Sequence, residues 1–219
     1  MYIWDLPTRL FHWLLAIFTI IALVSGKLGQ MEIHQRAGLA VLSLLVFRFL
    51  WGFIGGYYSL FKNFIPLIVK IKLYFNDIYY TGLKYSPGHS PLGSIAVVLL
   101  LGIIFFQAVF GLFSSDDVFF DGPLALLFPN VTETATSIHR LLSYLVITIV
   151  IIHFLAIILY KVKGIHLTKT MLTGKNEFIK LKRISKDNHS YIKSIFGILA
   201  MMVLIILGQL IPIINQLSF

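Results

Sequence analysis

Residues 137–158, SIHRLLSYLVITIVIIHFLAII, form an apolar run whose only formal charge is Arg140. A run of this length and composition suits the hydrocarbon of a bilayer, and only a helix satisfies its own backbone there. This one also carries two imidazoles, His139 and His153. Fourteen residues is close to four helical turns, so the two rings leave nearly the same face, about 40° apart and separated by about 21 Å of rise. Ionisable groups inside a membrane are rare, face the protein interior and mark function. Two inward imidazoles on one helix suggest two cofactors, one near each membrane face.

Four further apolar spans accompany this one. The five are predicted at about 9–26, 33–55, 91–114, 136–160 and 194–214, which makes the chain an all-α integral membrane helical bundle. With 58% hydrophobic and 12% charged residues in 219, no soluble domain needs so much apolar surface. Cysteine is absent, which removes disulfides, iron–sulfur clusters, thiolate zinc sites and covalent haem attachment through cysteine. Any metal must rest on His, Met or oxygen. The first span follows Arg9, but Asp5 precedes it and no small-residue cleavage site follows, so it is expected to be retained.

The net charge of +9 lies in the loops, so it points to a membrane rather than to nucleic acid. The segment 161–193 has nine basic residues and 56–90 has four, whereas the loop 115–135 has none and holds Asp116, Asp117, Asp121 and Glu133. The positive-inside rule then puts the N-terminus and both basic segments in the cytoplasm, and the acidic loop and the C-terminus outside. Segment 57–85 mixes aromatics with Lys around Pro66 and reads as an interfacial amphipathic helix rather than a sixth span.

Four of the seven histidines lie in or at the edge of apolar spans. With this topology His12 lies near the inner end of the first helix and His34 near the outer end of the second. His139 is outer and His153 inner. Depth pairs His12 with His153 and His34 with His139, each pair joining two different helices. That arrangement meets the needs of bis-imidazole haem ligation. Zinc is the rival metal, but two imidazoles alone make a poor zinc site and no acid lies at matching depth. Arg36 and Arg140 stand beside the outer pair as candidate propionate partners. Arg48, fourteen residues after His34, and Arg9, one turn before His12, are the inner candidates. Gly38, Gly26, Gly102 and Gly111 would let a flat macrocycle or a neighbouring helix approach closely.

The sequence stretches WDLPTRLFHWLL (4–15), FRFLWGFIGG (47–56), GHSPLG (88–93), IHRLLSY…IIHFLAI (138–157) and MLTGKNEF (171–178) resemble the prokaryotic cytochrome b561 family, close to the b-type cytochrome subunits of nickel–iron hydrogenases and formate dehydrogenases. The resemblance implies that four histidines on three helices ligate two haems b. These positions correspond to His12, His34, His139 and His153. It also implies electron transfer between the quinone pool and a partner protein, with a quinone site near one haem. The chain departs from the family where an Arg–Phe pair is usual, reading Leu60–Phe61, and has Ser90 where Asn is commoner.

The expected organisation is therefore a dihaem core over 1–165, a basic cytoplasmic loop over 166–193, and a fifth transmembrane helix with a short outer tail over 194–219. The expected function is electron transfer across the bacterial inner membrane between quinone and a periplasmic or membrane-associated redox protein. Two six-coordinate haems would leave no open position for oxygen chemistry, so relay rather than bond-making is expected. His89, in the Pro- and Gly-rich loop before the third span, is a candidate for quinone or propionate. His166 and His189 read as solvated. The alternative reading is a membrane-anchor subunit that mainly docks a catalytic partner. A solute transporter would favour inverted repeats and broken helices, and neither is visible in the sequence.

Overall fold

Asp5 precedes Leu6-Pro7, a sequence suited to starting a helix. Its Oδ1 accepts the main-chain N–H of Thr8 at 2.8 Å, the N-cap arrangement. Pro7 lies in the first turn, where its missing N–H leaves no bond unmade. From this cap runs α1, Leu6–Lys27. The fold is given by a computed structural model that describes residues 3–64, 72–73, 76, 88–116, 120–175 and 191–217. Helices α2 (Met31–Ile54), α3 (Phe61–Phe64), α4 (Pro91–Leu112), α5 (Pro129–Val162), α6 (Leu167–Thr173) and α7 (Tyr191–Leu217) follow. Among the described residues there is no strand, only an isolated bridge between Ser115 and Asp121.

Helices α1, α2, α4, α5 and α7 are each long and apolar enough to cross a membrane. The chain is thus a multi-pass, all-α membrane protein, as the five apolar runs predict. The most buried span is α2, whose 18-residue apolar stretch is 61% buried, against 6% for those of α4 and α5. Side chains such as Leu141, Ile152 and Leu155 are exposed, as lipid-facing residues are.

The largest departure from the predicted spans is at the start of α5, which begins seven residues before the expected 136. The stretch 129–135 is too polar to read as a membrane span, yet it is helical. Pro129 occupies the first helical position, which proline suits. Thr132 Oγ1 donates to Ala125 O and Phe128 O, and Thr136 Oγ1 donates to Thr132 O, so the hydroxyls bond locally. The interfacial helix expected over 57–85 falls largely outside the described residues, as does His189.

The chain divides into two compact units. The first comprises Met1–Leu10, Phe49–Leu99 and Ile151–Ile198. Asp5 is its hub. Besides capping α1, the buried carboxylate accepts from Trp51 Nε1 at 3.2 Å, Gly56 N at 2.9 Å and Ser59 Oγ at 3.0 Å. A Cβ on Gly56 would lie 2.5 Å from Asp5 Oδ2, so only glycine admits that carboxylate. Gly174, left-handed at φ 73°, ends α6, and its carbonyl accepts Ile3 N at 2.8 Å.

The second unit comprises Phe11–Arg48, Leu100–Val150 and Leu199–Phe219. Its core includes Leu39, Leu44, Phe47, Ile104, Val146 and Met201, all buried. Here α7 packs on α2: Gly208 abuts Ser43 Oγ, and Gln209 Nε2 donates to Arg36 O at 2.9 Å. The mid-helix amide of the fifth span thus holds a neighbouring helix within the chain.

Candidate functional site

The second unit brings four helix segments around one cavity of about 310 Å³. Each helix presents either an imidazole or the seat for one. His34 comes from α2 and His139 from α5. Their ring centres stand 5.8 Å apart with planes at 84°. His34 Nδ1 lies 2.7 Å from Ala22 O of α1, and His139 Nδ1 lies 2.8 Å from Gln107 O of α4. A carbonyl oxygen can only accept, so Nδ1 carries the hydrogen in both rings. In the neutral rings Nε2 then keeps a lone pair. Such an outer bond, fixing tautomer and orientation, is the usual support of a metal-ligating histidine.

Two glycines make room for these rings. A Cβ on Gly26 would lie 2.7 Å from His34 Nδ1, and one on Gly111 would lie 2.9 Å from His139 Cε1. The sequence suggests that these glycines admit a macrocycle or a helix, but in the structure they seat the imidazoles themselves. Gly38 lines the cavity, and a Cβ there would meet nothing within 4 Å, so space remains beside α2. Gly102 likewise faces open space.

This donor set fits a planar metal macrocycle. An imidazole nitrogen sits about 2 Å from a bound transition metal, so a metal between two such nitrogens sets the ring centres about 6 Å apart. The observed 5.8 Å matches. Among the described residues no group of three or more His, Asp or Glu could hold a bare ion. The cavity also contains unsatisfied polar atoms. Thr19 is 8% exposed, and neither its Oγ1 nor Gln107 Oε1 has a hydrogen-bond partner among the described residues. Buried polar atoms without partners point to an occupant.

The cations expected near the outer pair separate. Arg140 lines the cavity, as does Lys27, whose Nζ also lies 4.7 Å from the centre of the Tyr144 ring. Arg36 instead pairs with Glu32 at 3.0 Å, one turn back on α2, with both side chains exposed. Arg48 is buried near the end of this unit's α2 segment. His12 packs edge-on against Trp13 at 5.3 Å, also in this unit.

The first unit holds His153, Arg9 and His89. His153 packs against Phe154 at 6.3 Å. Arg9 Nη1 donates to Leu172 O at 2.6 Å, while its Nε is buried without a hydrogen-bond partner among the described residues. His89 lies edge-on to the buried Trp4, ring centres 4.7 Å apart, and Trp4 also meets Tyr58 at 6.4 Å. Burial, and secondarily Tyr57, raises the Tyr58 hydroxyl above its ordinary range, so it stays protonated at neutral pH. Gly88, at φ 78°, allows the turn that carries His89. His166 is exposed, as expected of a solvated residue.

Gln107, Lys27, Thr19 and Asp5 escape a reading by histidine spacing. Gln107 did leave a signal, as the lone amide in the apolar run LLLGIIFFQAVFG. Asp5 left another, an acid directly before a Pro-containing first turn.

The family described as prokaryotic cytochrome b561 matches this chain over residues 3–174. No curated protein and no solved structure matches it.

Proposed function

From the premise that this chain belongs to the prokaryotic cytochrome b561 family, a family of membrane b-type cytochromes that transfer electrons, we propose that it is a dihaem relay between the quinone pool and a redox partner protein. The observation that carries this reading is the pair His34 and His139, ring centres 5.8 Å apart, each held at Nδ1 by the main-chain carbonyl of a neighbouring helix. Bound haem supplies one-electron exchange.

The chain's own residues do the rest. His34 and His139 would hold the outer haem from α2 and α5, and the carbonyls of Ala22 and Gln107 keep the hydrogen on Nδ1 of each ring. With both imidazoles holding the haem, these residues would leave no place for oxygen or substrate at the iron, and the group would supply electron exchange alone. Lys27 and Arg140 line the same cavity and are the cations for the outer propionates, with Arg36 held at the surface by Glu32. The second haem is assigned to His12 and His153 on sequence spacing, with Arg9 and Arg48 as its propionate partners. Burial of Arg9 Nε without a hydrogen-bond partner among the described residues favours an anion there. His89, against Trp4 and near the protonated Tyr58, is the group for the quinone headgroup.

The positive-inside rule supports a bacterial inner membrane placement with the N-terminus in the cytoplasm and the C-terminus outside. The acidic outer loop would steer a basic periplasmic carrier. Purified protein in liposomes, mixed anaerobically with a quinol analogue, tests the reading. We expect reduction of both haems on a timescale set by quinol concentration. Haems that a chemical reductant reduces but no quinol does would overturn the quinone assignment.

A further inference from the structure

The loop that follows α4 turns back along it. Gly122 N donates to Ser114 O at 2.7 Å and Leu124 N to Leu112 O at 2.8 Å, and the Phe128 ring meets that of Phe113 at 5.5 Å. Residues 124–128 therefore stand level with the C-terminal end of α4, not beyond it. With 22 residues rising about 1.5 Å each, α4 is about 33 Å long, close to the thickness of bilayer hydrocarbon, so that end lies at the hydrocarbon edge. At this level the chain is apolar. Residues 122–132, GPLALLFPNVT, carry no charge, with Asp121 before them and Glu133 after, and Leu126, Leu127, Phe128 and Val131 are exposed. The main chain bonds within the segment: Ala125 N donates to Gly122 O, Phe128 N to Ala125 O and Val131 N to Phe128 O. Local bonding of this kind is what a non-helical stretch needs where water is scarce.

We propose that residues 124–131 form a lipid-binding segment, seated at the hydrocarbon edge of the leaflet that surrounds this end of α4, with Leu126, Leu127, Phe128 and Val131 among the acyl chains. The partner of this surface is phospholipid rather than protein. Continuity favours lipid: the patch joins α4 at Phe113, and α4 exposes Phe105 and Phe106 as lipid-facing residues of its own. Neighbouring exposed apolar side chains mark an interaction surface, and an interfacial seat buries them. The charges suit such a seat, because Asp121 and Glu133 bracket the segment and keep their carboxylates at headgroup level. The seat also bears on the cavity, since Ser114, Ser115, Gly122 and Pro123 of the same loop line it. Lipid at the segment thereby holds the cavity's rim at one depth in the membrane.

The chain has no native cysteine, so single-cysteine variants of the full protein in phospholipid nanodiscs report on each position. A charged, water-soluble maleimide should label Leu126→Cys and Leu127→Cys about tenfold more slowly than Glu133→Cys at an exposed polar position, because apolar surroundings raise a thiol's pKa and only the thiolate reacts. Leu145→Cys, at an exposed position of α5, sets the rate for a lipid-facing site. The native chain supplies a second measurement that no substitution perturbs. In nanodiscs containing a phosphatidylcholine with a photoreactive group near the glycerol end of its acyl chain, irradiation should leave lipid adducts within residues 124–131. Labelling as fast as at Glu133→Cys overturns the proposal, since the patch would then face water and be open to a protein partner. Slow labelling without lipid adducts also overturns it, since protein would then cover the patch.

Discussion

His34 and His139 face one another across 5.8 Å, each tied through Nδ1 to the carbonyl of a different neighbouring helix. Four helix segments therefore meet at this pair of imidazoles: α2 and α5 supply the rings, and α1 and α4 hold them. A carbonyl bond at Nδ1 fixes each ring's orientation, the support a metal-ligating histidine usually has.

Gly26 and Gly111 are predicted to be intolerant of even one methyl group. An added Cβ would lie 2.7 Å from His34 Nδ1 or 2.9 Å from His139 Cε1. Gly26→Ala and Gly111→Ala should each lower haem content by about one per chain. The helices themselves should not weaken, because alanine is the better helix former by about 1 kcal/mol. Gly102→Ala, facing open space, should keep full haem. Haem-to-protein ratios of the three variants check this, and full haem in both seat variants would contradict it.

Charge at the cavity should set the outer haem's potential. A cation beside a haem favours the reduced, less positive form. Lys27→Gln and Arg140→Gln should therefore lower that midpoint by on the order of tens of mV at low salt. Arg36→Gln should leave it unmoved, because Arg36 is paired with Glu32. Spectroelectrochemical titration decides between them, and an Arg36 effect as large as Arg140's would contradict the assignment.

Asp5 is predicted to be a stability residue rather than a redox one. Its carboxylate accepts from Thr8, Trp51, Gly56 and Ser59. Asp5→Ala strands these donors in a buried site and should cost on the order of 3 kcal/mol. Asp5→Asn keeps one acceptor oxygen and should cost less. Thermal unfolding in detergent, followed by tryptophan fluorescence, measures both. Equal stability of Asp5→Ala and the native chain would contradict the hub.

Apolar runs of bilayer length made the five spans visible, because nothing else satisfies a backbone in lipid. That the His34 and His139 rings lie near one another has a related reason. Topology assigns each imidazole a depth, and depth leaves few partners. Less legible were features that depend on where a side chain turns. Arg36 and Arg140 each stand within two residues of an outer histidine, yet Glu32 one turn back captures Arg36. Gly26 and Gly111 looked like close-packing residues, and only the ring positions show what they seat. The polar turns 129–135 hid a helical start because their hydroxyls satisfy each other's backbone, which hydropathy cannot register.

The most direct measurement is the haem-to-protein ratio of the native chain and of His139→Ala, both purified in detergent after expression with ample haem supply. The account predicts two haems per native chain and one in the variant, whose remaining haem keeps its bis-imidazole spectrum. An unchanged ratio in His139→Ala, or a folded native chain without haem, would contradict it.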